Sequence, residues 1–101
     1  MSETKPQKLT DEELAQEISS LPEWRLGIGG ESRELVRDFV FADFAAAMVF
    51  VNRLAAAAES AGHHPDIDIR YNRVRVALVT HDAGGITRKD VALAHAADGL
   101  V

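Results

Sequence analysis

The side chains best suited to chemistry lie in one run of the chain's second half: Glu59, His63-His64-Pro65, Tyr71, His81 and Asp90. Three of the chain's four histidines sit in it. Histidine titrates near neutrality, so it can give or take a proton at physiological pH. Joined to two carboxylates among apolar segments, these histidines read as a proton-transfer site. Residue 63 lies four positions after Glu59, so the two side chains come close if the chain stays near-helical there. Pro65 disfavours helical geometry at His64, which puts both histidines at a break. His81 approaches them if its strand lies beside the end of the preceding helix. His95, between Ala94 and Ala96, reads as a solvated residue outside this group.

Other chemistries fit less well. Three histidines and a carboxylate can ligate zinc or iron, but there is no HxH pair, no HExxH and no i,i+4 histidine pair. No metal is expected. No serine stands in a G-x-S-x-G context. Gly27-Ile28-Gly29-Gly30 and Gly84-Gly85 do not lead from a parallel strand into a helix, so neither reads as a phosphate loop. The absence of cysteine rules out thiol chemistry and fits a cytoplasmic location. A net charge of −5 with no Lys/Arg cluster gives no electrostatic footprint for nucleic acid or an anionic membrane. The polar start has no signal-peptide core. The apolar stretch 44–58, broken by Asn52 and Arg53, reads as too short and too polar to span a bilayer.

The elements that must position these groups follow from periodicity. Residues 1–8 are expected as a disordered tail and 9–101 as one domain. Thr10 to Glu13 is a capping box opening a helix over 11–19. Alternating apolar residues predict strands over 24–28 and 33–41, paired as a hairpin. Asp43 caps a helix over 43–61, with an inward stripe at Phe44, Met48, Val51, Leu54/Ala55 and Ala58, and Gly62 stops it. Strands over 67–71 and 74–80 are joined by a turn at Asn72, a residue that tolerates left-handed backbone. Thr87 caps a last helix over 88–98 with Asp90 at its third position. The α-β-β-α-β-β-α order implies an α+β fold, a four-stranded antiparallel sheet with three helices on one face.

At these residues the chain resembles the pterin-4a-carbinolamine dehydratase family. The matching signature is Glu59-xxx-His63-His64-Pro65, then Tyr71, His81 and Asp90 at the family's spacing. Tyr71-Asn72-Arg73-Val74, Thr80-His81-Asp82 and Gly84-Gly85-Ile86-Thr87 match the surrounding context, and the likeness runs over roughly 9–100. The resemblance implies loss of water from a 4a-hydroxytetrahydropterin to give a quinonoid dihydropterin, without cofactor, in pterin recycling. It implies proton transfer by His63 and His81 and pterin binding by His64. Glu59, Asp90, Pro65 and Thr80 are implied around the substrate, with Glu59 orienting His63 and Asp90 at the pocket edge. It also implies a homodimer or homotetramer. The alternative on the same fold is a protein-interaction module, since one family member doubles as a transcriptional coactivator. Two positions depart from the pattern: Ile67 stands where many members carry tryptophan, and Gly62 where a polar residue is common.

Overall fold

A computed structural model describes residues 7–30 and 32–101 of the protein. Most of the expected N-terminal tail, residues 1–6, lies outside them. The order is α1 (Asp11–Ile18), β1 (Arg25–Gly29), β2 (Ser32–Val40), α2 (Phe44–Ala61), β3 (Asp66–Arg70), β4 (Arg73–Leu78), a short 3-10 turn (His81–Ala83) and α3 (Arg88–Asp98). The strands form one antiparallel sheet in the order β1-β2-β4-β3. The expected α+β architecture is therefore observed.

Both capping boxes form. The Thr10 hydroxyl accepts from the Glu13 N–H at 3.1 Å, and Glu13 accepts from the Thr10 N–H at 2.9 Å. These bonds, the backbone one first, hold the Glu13 carboxyl below its usual pKa range. Thr87 and Asp90 repeat the box at α3.

One parity of the central strands, Leu35, Phe39, Val74, Val76 and Leu78, faces the helices and is buried with Leu54, Val91 and Ala94. The other parity carries charge. Asp38 and Arg75 are cross-strand partners on this open face, with Arg75 Nε 2.7 Å from Asp38 Oδ1. That hydrogen bond holds the Asp38 carboxyl below its usual range, with the nearby Arg25 adding to it.

Two local expectations are corrected. The buried stripe of α2 is Ala47, Phe50, Leu54 and Ala58, whereas Phe44 is half exposed and Met48 and Val51 only partly covered. Phe50 turns inward because its ring meets Phe39 and Phe41, at centroid distances of 4.5 and 5.1 Å. The left-handed residue of the β3–β4 turn is Tyr71, with φ 52°, in place of Asn72. Asn72 is occupied otherwise: its amide donates to the Phe41 carbonyl at 2.9 Å, and its own carbonyl accepts from the Phe41 N–H.

At 18 residues with mean hydropathy 1.2, α2 has the length and composition of a membrane-crossing helix. It is longer than the apolar stretch read from sequence because Asp43 and Gly62 set its ends. Here its inner stripe packs on the sheet.

Candidate active site

The site begins where α2 ends. Gly62 takes φ 64°, a left-handed value that favours glycine. The His63 N–H then donates back to the Ala58 carbonyl at 3.1 Å, and the chain leaves the helix toward β3. Successive side chains diverge at this corner. The His63 side chain is 11% exposed, whereas that of His64 is 67% exposed.

Each histidine meets a carboxylate, and the pairing differs from expectation. Glu59 Oε2 lies 2.6 Å from His64 Nε2, so Glu59 serves the second histidine and not the first. The left-handed step at Gly62 ends the helical register that would have set residue 63 above residue 59. His63 Nε2 instead lies 2.5 Å from Asp90 Oδ1.

The resemblance implies Asp90 at the pocket edge, but the residue is completely buried. Its Oδ2 accepts from the Thr80 hydroxyl and from the Thr87 N–H, both at 2.8 Å. The Thr87 hydroxyl lies 2.8 Å from Thr80 Oγ1 and completes the chain. A buried carboxylate is tolerated when its lone pairs are occupied by donors, as they are here. Since a carboxylate only accepts, this bond puts a proton on His63 Nε2 and leaves Nδ1 for exchange with a ligand.

Opposite this corner, β4 runs on to Thr80, which makes paired backbone hydrogen bonds with Gly85. The loop between them carries His81 and Asp82, both exposed. His63, His64, Thr80, His81 and Asp82 line one open cleft of about 270 Å³. The structure thus brings the three histidines to one place. Glu59 reaches it through His64, Thr80 forms part of its floor, and Asp90 stands behind His63. Pro65 shapes the turn but does not line the cleft. Tyr71 caps the far end of the β3–β4 hairpin. Two participants escape a reading of the sequence. Thr87 shows there only as a cap, and Asp82 only as the neighbour of His81. Among the described residues, no three His, Asp or Glu side chains converge closely enough to hold a metal ion.

The arrangement can move protons. A histidine backed by a buried carboxylate faces the same space as two further imidazoles, and each can act as donor or acceptor.

Comparison with known proteins gives a consistent picture. Residues 7–100 match the family described as Pterin 4 alpha carbinolamine dehydratase. A relative from Chloroflexus aurantiacus, whose name assigns it provisionally as a pterin-4-alpha-carbinolamine dehydratase, is 54% identical over 93% of this chain and 97% of its own. A like-named relative from Acidobacterium capsulatum is also 54% identical, over 93% of this chain and 98% of its own. Among solved structures, a "transcriptional coactivator/pterin dehydratase from Brucella Melitensis" superposes with TM-score 0.85 and 34% identity, covering 92% of this chain and 97% of that one. A pterin dehydratase-like protein described as a RuBisCO assembly factor in the alpha-carboxysome aligns with TM-score 0.64 and 29% identity, covering 77% and 88%.

Proposed function

We propose that this chain, which belongs to the pterin-4a-carbinolamine dehydratase family, removes water from a 4a-hydroxytetrahydropterin to give the quinonoid dihydropterin. The observation that carries the reading is the cleft shared by His63, His64 and His81, with Asp90 buried behind the first. Hydroxide leaves poorly at neutral pH, so an acid must protonate the departing oxygen. The bond from C4a to oxygen breaks and water departs. The ring nitrogen beside C4a loses its proton to a base, and its electron pair forms the new carbon–nitrogen double bond. His63 and His81 divide these two transfers. Each positioned acid or base contributes roughly 10²–10⁴-fold to such a step. Asp90 fixes the His63 ring and balances the charge when that ring holds a second proton. His64, exposed and paired with Glu59, holds the pterin. Thr80 and Pro65 shape the site without touching the reacting atoms.

The reading includes pterin recycling in the cytoplasm with no metal or organic cofactor, and a homodimer or homotetramer as the working form. Phe44 and Val49 on the outer side of α2, each 50% exposed, support self-association, as do the open strand edges β1 and β3.

A second reading is a protein-interaction module on the same fold. The two solved structures favour it, since one is described as a coactivator and the other as an assembly factor. A binding scaffold has no need of three histidines on one cleft or of a buried carboxylate behind one of them, and this favours the enzyme. The deciding experiment is a stopped-flow dehydration assay with the spontaneous rate subtracted. A catalysed rate with any 4a-hydroxytetrahydropterin supports the dehydratase; none above background sinks it.

A further inference from the structure

We propose that Lys8 and Leu9 are positioning residues for His81, bracing from behind the loop that carries it. The inference rests on the dehydratase reading and adds to it what holds the second proton carrier in place. His63 and His64 are each oriented by a carboxylate, Asp90 and Glu59. His81 is exposed and, among the described residues, its ring has no hydrogen-bond or ion-pair partner. The place of His81 in the cleft is therefore set by its backbone. That backbone belongs to a loop closed by paired hydrogen bonds between Thr80 and Gly85, at 3.0 and 3.3 Å. These bonds fold the loop upon itself. Contacts from the chain start and from β2 fix it from outside.

The Leu9 N–H donates to the Ile86 carbonyl at 2.8 Å, and both residues are buried in the core. Lys8, itself exposed, lays its aliphatic stem across the buried Gly85. A methyl group at residue 85 would lie 2.7 Å from Lys8 Cδ and 3.0 Å from Cγ, so the absence of a side chain there is what lets the stem close over the loop. The Ser32 hydroxyl adds a longer hydrogen bond to the Gly84 carbonyl, at 3.3 Å. Lys8, Leu9, Ser32, Gly84 and Gly85 border a hollow of about 140 Å³ that shares no lining residue with the histidine cleft. The brace therefore reaches His81 only through the loop.

The test pairs Gly85→Ala, which sets a methyl group against the Lys8 stem, with Lys8→Ala, which removes that stem. Gly85→Ala should lower kcat for dehydration about tenfold, within the roughly 10²-fold that a misplacement of about 1 Å can cost, and leave KM within about twofold. Lys8→Ala alone should lower kcat about threefold, and adding it to Gly85→Ala should bring kcat back to that level. In the His81→Ala background, Gly85→Ala should cost no further kcat, because the brace acts through that ring. The displacement is also read without catalysis, from the His81 ring resonances by NMR. They should shift in Gly85→Ala and return in the double variant to their place in Lys8→Ala. If Gly85→Ala keeps wild-type kcat and resonances, or costs as much kcat in the His81→Ala background, the inference is overturned and the reaction stands. If the wild type catalyses no dehydration, the reaction fails and the resonances decide: moved by Gly85→Ala and restored with Lys8→Ala they uphold the brace, unmoved they overturn it. Should Gly85→Ala not fold, Lys8→Ala decides through the same two readouts.

Discussion

His63 and His64 hold their carboxylates at nearly equal distances, 2.5 Å to Asp90 and 2.6 Å to Glu59, yet the surroundings are opposite. The first pair is sunk in the protein, with side-chain exposures of 11% and 0%. The second stands in solvent, at 67% and 78%. An exposed pair gains little, because water and salt screen it and two mobile side chains must be ordered. A buried pair interacts more strongly but tolerates no missing partner. Contact distance therefore does not rank the two pairs; the donors around each carboxylate do. Asp90 has three protein donors, whereas His64 is the one side-chain partner of Glu59 among the described residues.

The comparison is broken most severely at Asp90. Asp90→Ala leaves the Thr87 N–H and His63 Nε2 without their acceptor, leaves the Thr80 hydroxyl with Thr87 alone, and removes half of the α3 capping box. A loss of about 3 kcal/mol in urea unfolding is expected, together with a fall in kcat. Asp90→Asn preserves the shape, so stability should fall less, while kcat drops by roughly 10²-fold or more because the His63 ring loses its fixed proton position. Wild-type kcat in the Asp90→Asn variant would end the claim that the buried pair matters to catalysis.

The next largest effects separate the histidines. His63→Ala and His81→Ala should each lower kcat and kcat/KM by about 10²-fold or more. His64→Ala should mainly raise KM. If His64→Ala costs as much kcat as His63→Ala, burial does not divide their roles.

A smaller effect is expected at the exposed pair. Glu59→Gln should shift stability by no more than about 0.5 kcal/mol and kcat by less than about threefold. Raising salt to 1 M, where screening acts over about 3 Å, should move KM and leave kcat nearly unchanged.

The smallest effect lies on the far side of the sheet. The depressed Asp38 carboxyl contributes stability that is present above the ordinary carboxylate range and is lost as pH falls through its folded value. Asp38→Asn should flatten the acid limb of the stability–pH curve below about pH 5, leaving the dehydration rate unchanged. A changed rate would show that the open face communicates with the cleft.

Much of this arrangement is legible in the sequence. Thr10-x-x-Glu13 and Thr87-x-x-Asp90 announce two helix starts through local hydrogen bonds, and both form. Alternation marks the four strands, and Gly62 the end of α2. The phase of α2 is not legible, because its alanines carry too little contrast to tell an inner face from an outer one. Its orientation is decided by Phe39 and Phe41, on another element. The carboxylate pairing is hidden for a similar reason. Spacing alone sets Glu59 beside His63, but one left-handed residue breaks that register. The burial of Asp90 depends on Thr80, ten positions away and joined to it only in the folded chain.

Tyr71 sits at the exposed tip of the β3–β4 hairpin, and both ends of that hairpin lead into the cleft. A glycine there would remove the steric penalty of a left-handed side chain, offering stabilisation far from the reacting groups. The same tip is a natural place to cut and rejoin the chain. A permuted protein opened between Tyr71 and Asn72 would keep His63 and His81 in register through the β3–β4 ladder and the packing of α2 without the covalent turn, so its residual activity would gauge how much of the cleft's alignment depends on the loop that closes the hairpin.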